Sequence, residues 1–126
     1  MAQGEKLPKQ QDIKMEGHAV EARLYAEDPA NDFLPSVGTI WGIATDGWKN
    51  DSGSCRIDTG ITENSTVSVY YDPMVAKIIG WSEERYHAIE YTLEGLYEIQ
   101  AAGVITNSAF LVKCLSNSDF LSLIHI

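Results

Sequence analysis

The apolar residues of this chain change their spacing once along its length, and that switch limits the folds open to it. Across residues 17–26 polar and apolar side chains alternate, so Val20, Ala22 and Leu24 share one face while Glu21, Arg23 and Tyr25 share the other. Such alternation predicts a strand buried on one side only. The turn formers of Glu27-Asp-Pro-Ala-Asn-Asp predict its end. Residues 38–44 and 54–59 read as further short strands around the polar loop Asp46-Gly-Trp-Lys-Asn-Asp-Ser-Gly. Two more strands, over residues 67–71 and 75–81, bracket a turn at Asp72-Pro73.

From Ser82 onward the period lengthens. Ser82 suits a helix N-cap, and Glu83 and Glu84 suit the positive end of a helix dipole. Tyr86, Ile89, Leu93 and Leu96 then recur at helical spacing, with Glu90, Glu94 and Glu98 turned outward. Gly103 breaks that helix, and Asn107 caps a second one with Phe110, Leu111, Cys114 and Leu115 inward. The fold class expected is therefore α+β: short antiparallel strands followed by a C-terminal helix pair, and not a parallel sheet.

A chain of 126 residues can build one modest core and not two. Its net charge is −9, and the excess acid lies entirely beyond residue 24, because residues 1–24 hold four Lys/Arg and four Asp/Glu. Such a surface repels nucleic acid and anionic membranes, so neither is expected as a partner. No apolar run approaches the roughly 20 residues of a membrane span. The N-terminus lacks the apolar stretch of a secretory signal. Cys55 and Cys114 stand far apart without metal-ligand spacing, which reads as two free thiols in a reduced compartment, cytoplasmic or the mitochondrial matrix. Asn50-Asp-Ser and Asn64-Ser-Thr match a glycosylation pattern that has no meaning without a secretory route.

Taken singly, few residues suggest chemistry. His18, His87 and His125 are scattered over a strand, a helix and the tail, and no metal site is expected. Neither GxxxxGK[ST] nor GxGxxG occurs. Lys77 reads as part of a solvated strand face, and Trp41, Tyr70, Tyr71 and Trp81 as core or interface aromatics. Arg23 by itself reads as a surface arginine paired with Glu21.

Three longer blocks add to this. Gly17-His-Ala-Val-Glu-Ala-Arg-Leu-Tyr-Ala-Glu-Asp-Pro-Ala-Asn-Asp-Phe-Leu-Pro-Ser resembles the opening signature of the biotin carboxylase C-terminal domain. Val67-Ser-Val-Tyr-Tyr-Asp-Pro-Met-Val-Ala-Lys-Ile-Ile is similar to that domain's second signature. Gly103-Val-Ile-Thr-Asn resembles a third, usually Gly-Val/Ile-Lys-Thr-Asn, from which it departs by lacking the lysine. Order and separation match as well, and the wording of the first two blocks is similar to the α subunits of acyl-CoA carboxylases such as methylcrotonyl- and propionyl-CoA carboxylase.

That resemblance implies a ligase in which ATP and bicarbonate give carboxyphosphate, and the CO2 released is captured by a ureido nitrogen of biotin. It implies that Arg23 stabilises the enolate on the ureido oxygen, work suited to a permanently charged planar donor. Glu21 would orient Arg23. Asp72 would be a second orienting partner, or merely the residue that starts the turn before Pro73. Arg56 falls at a family position near the dimer interface. The partners implied are a biotin carboxyl carrier domain, a carboxyltransferase subunit and a second copy in a homo-oligomer. ATP and Mg2+ would be held mainly by an ATP-grasp lobe upstream.

The expected organisation is residues 1–16 as a linker or edge segment from a truncated ATP-grasp lobe, residues 17–120 as the domain, and residues 121–126 as an atypical tail, Leu-Ser-Leu-Ile-His-Ile. A chain so cut should not turn over ATP alone. Two alternatives stay open: a parent that is an acetyl-CoA or pyruvate carboxylase, and a non-catalytic module retained for subunit assembly.

Overall fold

The computed structural model describes Gly4, residues 6–44 and residues 54–122. Before the first strand, the described residues form a single 3-10 turn, Gln10–Asp12. Strand β1 (His18–Tyr25) follows, then the short hairpin of β2 (Glu27–Asp28) and β3 (Leu34–Pro35), and then β4 (Gly38–Thr39), β5 (Gly42–Ala44), β6 (Cys55–Thr59), β7 (Thr66–Val67) and β8 (Met74–Ser82). Helix α1 (Arg85–Glu98), strand β9 (Gln100–Ala102), helix α2 (Ser108–Leu115) and the single-turn α3 (Ser118–Leu121) complete the order. The α+β architecture read from the sequence is the one observed.

The centre is a three-stranded antiparallel sheet in the order β1-β8-β6. Its inner face carries Ala22, Leu24, Ala76, Ile78 and Cys55, all buried against α1. The helix lies unusually close, because two glycines face each other's elements. A Cβ on Gly80 would collide with the Ala88 carbonyl and the Thr92 hydroxyl, and one on Gly95 with Ile78 and the Cys55 thiol. Thr92 is fully buried, its hydroxyl 2.8 Å from the Ala88 carbonyl oxygen and 3.1 Å from that of Val20, so the helix is tied to β1 through one proton donor. At the C-terminal end, Arg85 donates to the Phe120 carbonyl at 2.9 Å and stacks on its ring, which fastens α3 to α1.

Several expectations need correction. Residues 38–44 are two strands in different sheets, because the Ile40 amide bonds the Ser65 carbonyl whereas the next amide, Trp41, bonds that of Ala102. The strand expected over residues 67–71 stops at Val67, where the Ser68 hydroxyl takes the Tyr70 amide into a turn. Ser82 still pairs with His18, so α1 starts at Arg85 with Glu84 in the cap position. The buried stripe of α1 is Ala88, Ile89, Thr92, Gly95 and Leu96; Ile89 and Leu96 are as expected, but Tyr86 is exposed and Leu93 half-buried, and the closest approach to the sheet is made by Ala88, Thr92 and Gly95. In α2 only Leu115 is buried, and Cys114 is exposed. Trp41, Tyr70 and Tyr71 are no core aromatics: they are 74%, 87% and 83% exposed. The loop expected at residues 46–53 and residues 123–126 of the tail lie outside the described residues.

Candidate functional site

The outer face of the sheet is set by the same alternation that builds its core. With Ala22 and Leu24 buried beneath, Glu21 and Arg23 must project from the opposite side of β1. They meet there: the Arg23 Nε donates to Glu21 Oε1 at 2.8 Å, and both side chains are largely solvated. The Glu21 carboxylate, and after it the Tyr25 hydroxyl, hold the guanidinium above its ordinary range, so it stays charged. An exposed pair like this adds little to stability. The contact engages Nε of the planar fork through one carboxylate oxygen.

β1 is an outer strand, and its free edge is held by a residue distant in sequence. Asn107 is almost fully buried; its Oδ1 accepts the Tyr25 amide at 2.9 Å, its Nδ2 donates to the Arg23 carbonyl at 3.4 Å, and its own amide donates to the Tyr25 carbonyl at 3.1 Å. The sequence reading placed Asn107 as a helix cap. It does occupy the position before α2, but its side chain makes no cap bond there. The available signal was the block Gly103-Val-Ile-Thr-Asn, whose last residue is this one.

At the same end of the strand the register with β8 slips. Leu24 faces Ala76 and Tyr25 faces Met74, leaving Val75 as a bulge whose carbonyl accepts the Thr59 hydroxyl at 2.7 Å. The turn before it, at Asp72-Pro73, docks on the strand end, where the Ala26 amide donates to the Pro73 carbonyl at 2.9 Å. Asp72 Oδ1 accepts the Met74 amide at 3.1 Å, the bond of a residue that starts a turn. Arg56 lies on β6, on the same outer face as Arg23, with its Nε 3.1 Å from Asp58 Oδ1. Of the four residues singled out from the sequence, Arg23, Glu21 and Arg56 therefore share one face, and Asp72 supports the turn beside it.

Between β1 and α2 runs a groove of about 430 Å³, lined by Glu21, Arg23, Tyr25, Phe33, Phe110 and Cys114 among others. Phe33 has a left-handed backbone (φ 57°) and meets Phe110 edge-on with ring centroids 4.9 Å apart. Among the described residues no cluster of three or more His, Cys, Asp or Glu could hold a metal ion. The guanidinium of Arg23 is a donor suited to an oxyanion.

The family described as biotin carboxylase C-terminal domain matches residues 21–123. The chain is 40% identical to the mitochondrial methylcrotonoyl-CoA carboxylase subunit alpha of Rattus norvegicus, over 95% of this chain and 16% of that protein. It is 36% identical to the propionyl-CoA carboxylase alpha chain of Ruegeria pomeroyi, over 97% of this chain and 20% of that one. Among solved structures, the biotin carboxylase domain dimer of Hydrogenobacter thermophilus 2-oxoglutarate carboxylase, in complex with MgADP, ADP and bicarbonate, superposes with a TM-score of 0.82 at 31% identity, covering 94% of this chain and 26% of that one. The chain thus spans about a fifth of the curated relatives it matches.

Proposed function

The chain belongs to the biotin carboxylase C-terminal domain family, and on that membership we propose that it serves in carboxylating carrier-borne biotin, with ATP and bicarbonate, within an acyl-CoA carboxylase. The observation that carries this reading is the position of Arg23. It stands in the block Gly17-His-Ala-Val-Glu-Ala-Arg, on the solvated face of β1, oriented by Glu21 and with its strand held at the edge by Asn107.

Biotin, when bound, supplies the ureido nitrogen that takes up CO2. Arg23 would hold the ureido oxygen with a fixed charge and planar donors, the group to stabilise negative charge there. A donor already in place favours the transition state over the ground state, because nothing has to reorganise as the charge appears. Glu21 restrains the guanidinium through Nε, and Asp72 stiffens the turn against the end of β1. ATP and Mg2+ would be held mainly by the remainder of the carboxylase. Residues 17–120 form the domain, residues 1–16 are a connecting segment, and residues 121–126 are a tail.

Arg56, on the same sheet face, lies toward a second copy of the chain in a homo-oligomer. The other partners are a biotin carboxyl carrier domain and a carboxyltransferase subunit. The methylcrotonoyl-CoA and propionyl-CoA carboxylase relatives support a branched or short acyl-CoA as final acceptor. The setting is the cytoplasm, or the mitochondrial matrix as the names of several relatives suggest; no described helix is long and apolar enough to cross a membrane.

The test is Arg23→Lys in the full carboxylase polypeptide containing this domain. The charge remains but the fork of donors is lost, so biotin carboxylation should fall at least about tenfold to a thousandfold. Bicarbonate-dependent ATP cleavage without biotin should fall much less. Near-normal carboxylation by a folded variant would end the catalytic reading.

A further inference from the structure

Arg23 has a neighbour on each side along its own strand. The alternation that turns Arg23 outward turns Glu21 and Tyr25 outward with it, and residues two apart on one face of a strand stand about 7 Å from each other. A guanidinium on a long flexible stem reaches both. On one side it meets Glu21 at 2.8 Å. On the other stands Tyr25, and all three residues line the groove beside α2. The Tyr25 hydroxyl comes after the Glu21 carboxylate among the groups that keep the guanidinium charged.

Tyr25 is the more firmly anchored of the two neighbours. Its amide and its carbonyl are both bonded to Asn107. The next residue, Ala26, is fully buried, with its amide on the Pro73 carbonyl and its carbonyl accepting the Ser36 amide. The backbone under the ring is thus held by three segments distant in sequence, and a tyrosine has only two side-chain torsions left to settle. Glu21 is an exposed carboxylate on a flexible stem. Lining the groove needs only the ring, which phenylalanine would supply. The hydroxyl adds an acceptor at the end of a fixed ring, beside a group that can only donate.

We propose that Tyr25 is a positioning residue for Arg23: its phenolic oxygen accepts a hydrogen bond from the guanidinium, so that Glu21 and Tyr25 restrain it from both sides along β1. Resting on the reading of Arg23 given above, this adds the residue through which the clamp on the strand edge reaches the charged group. Asn107 fixes Tyr25, and Tyr25 limits the swing of Arg23.

The experiment is Tyr25→Phe in the full carboxylase, alone and combined with Arg23→Met, which keeps an unbranched side chain without donors. Tyr25→Phe should lower kcat for biotin carboxylation about threefold to tenfold, the effect of losing one hydrogen bond, with the KM for ATP changed less than about twofold. Its melting temperature should stay within about 2 °C of the parent, because the ring and its packing remain. In the Arg23→Met background the same substitution should change kcat less than about twofold, since the partner is already gone. An undiminished kcat for Tyr25→Phe would overturn the proposal. So would a loss that recurs in full in the Arg23→Met background, or one that tracks a fall in melting temperature. If Arg23→Lys carboxylates biotin normally, the reading of Arg23 falls; if Arg23→Lys is impaired and Tyr25→Phe is not, only the role of Tyr25 falls.

Discussion

Asn107 binds Tyr25 twice, accepting its amide at Oδ1 (2.9 Å) and donating its own amide to the Tyr25 carbonyl (3.1 Å). With the third bond, from Nδ2 to the Arg23 carbonyl, one asparagine does for the free edge of β1 what a neighbouring strand would do.

Truncating Asn107 to alanine strands two backbone groups in a largely dry place. We expect Asn107→Ala to lose about 1–3 kcal/mol of unfolding free energy by chemical denaturation. In the full carboxylase, biotin carboxylation should fall more than bicarbonate-dependent ATP cleavage, because the strand that loosens is the one bearing Arg23. A loss under about 0.5 kcal/mol would mean that water replaces the amide without difficulty.

Glu21→Gln keeps an acceptor for Arg23 Nε and removes the charge. Thermal stability should not move measurably, since the pair is exposed. Biotin carboxylation should nevertheless drop, by about tenfold, if the carboxylate orients the guanidinium. Unaltered kinetics would reduce the pair to a surface contact.

Gly80 is where α1 comes nearest the sheet, and its hydrogen is all the space permits. Gly80→Ala should destabilise by about 1–3 kcal/mol, the usual effect of overpacking, as read by calorimetry. A Cβ on Gly42 would meet nothing within 4 Å, so Gly42→Ala provides the control and should melt close to the parent. Equal melting of both variants would contradict the close approach.

The two thiols should differ in reactivity. Cys114 is exposed, whereas Cys55 is buried, and that burial, with a smaller contribution from Glu94, pushes its thiol up. A raised pKa means less thiolate at any given pH, so at about pH 8 native protein should be alkylated at Cys114 first and at Cys55 only on unfolding. Peptide mass mapping reads this directly, and equal rates at the two sites would refute it.

How much of this was legible in the chain differs from residue to residue. The alternation over residues 17–26 determined β1 and the side from which Arg23 projects, because a period of two leaves each residue one face or the other. The helical spacing after Ser82 determined that a helix packs on the strands. Its buried stripe was legible in part: Ile89 and Leu96 are buried as read, but apolarity also marks Tyr86 and Leu93, while the close approach over Gly80 and Gly95 buries Ala88 and Thr92 instead.

What pairs with what was decided only in the folded chain. Residues 38–44 look like one strand, yet Ile40 and Trp41 give their amides to carbonyls from different parts of the sequence. Asn107 carries the local mark of a helix cap, and only the tertiary fold sets the edge of β1 beside it. Lys77 read alone is a solvated lysine; the β1-β8 register makes it the neighbour of Arg23. The sequence by itself determined which face each residue occupies, because periodicity is local. The structure decided which faces and edges meet, because hydrogen-bond register and helix-to-sheet distance are settled by contacts between segments far apart in the chain.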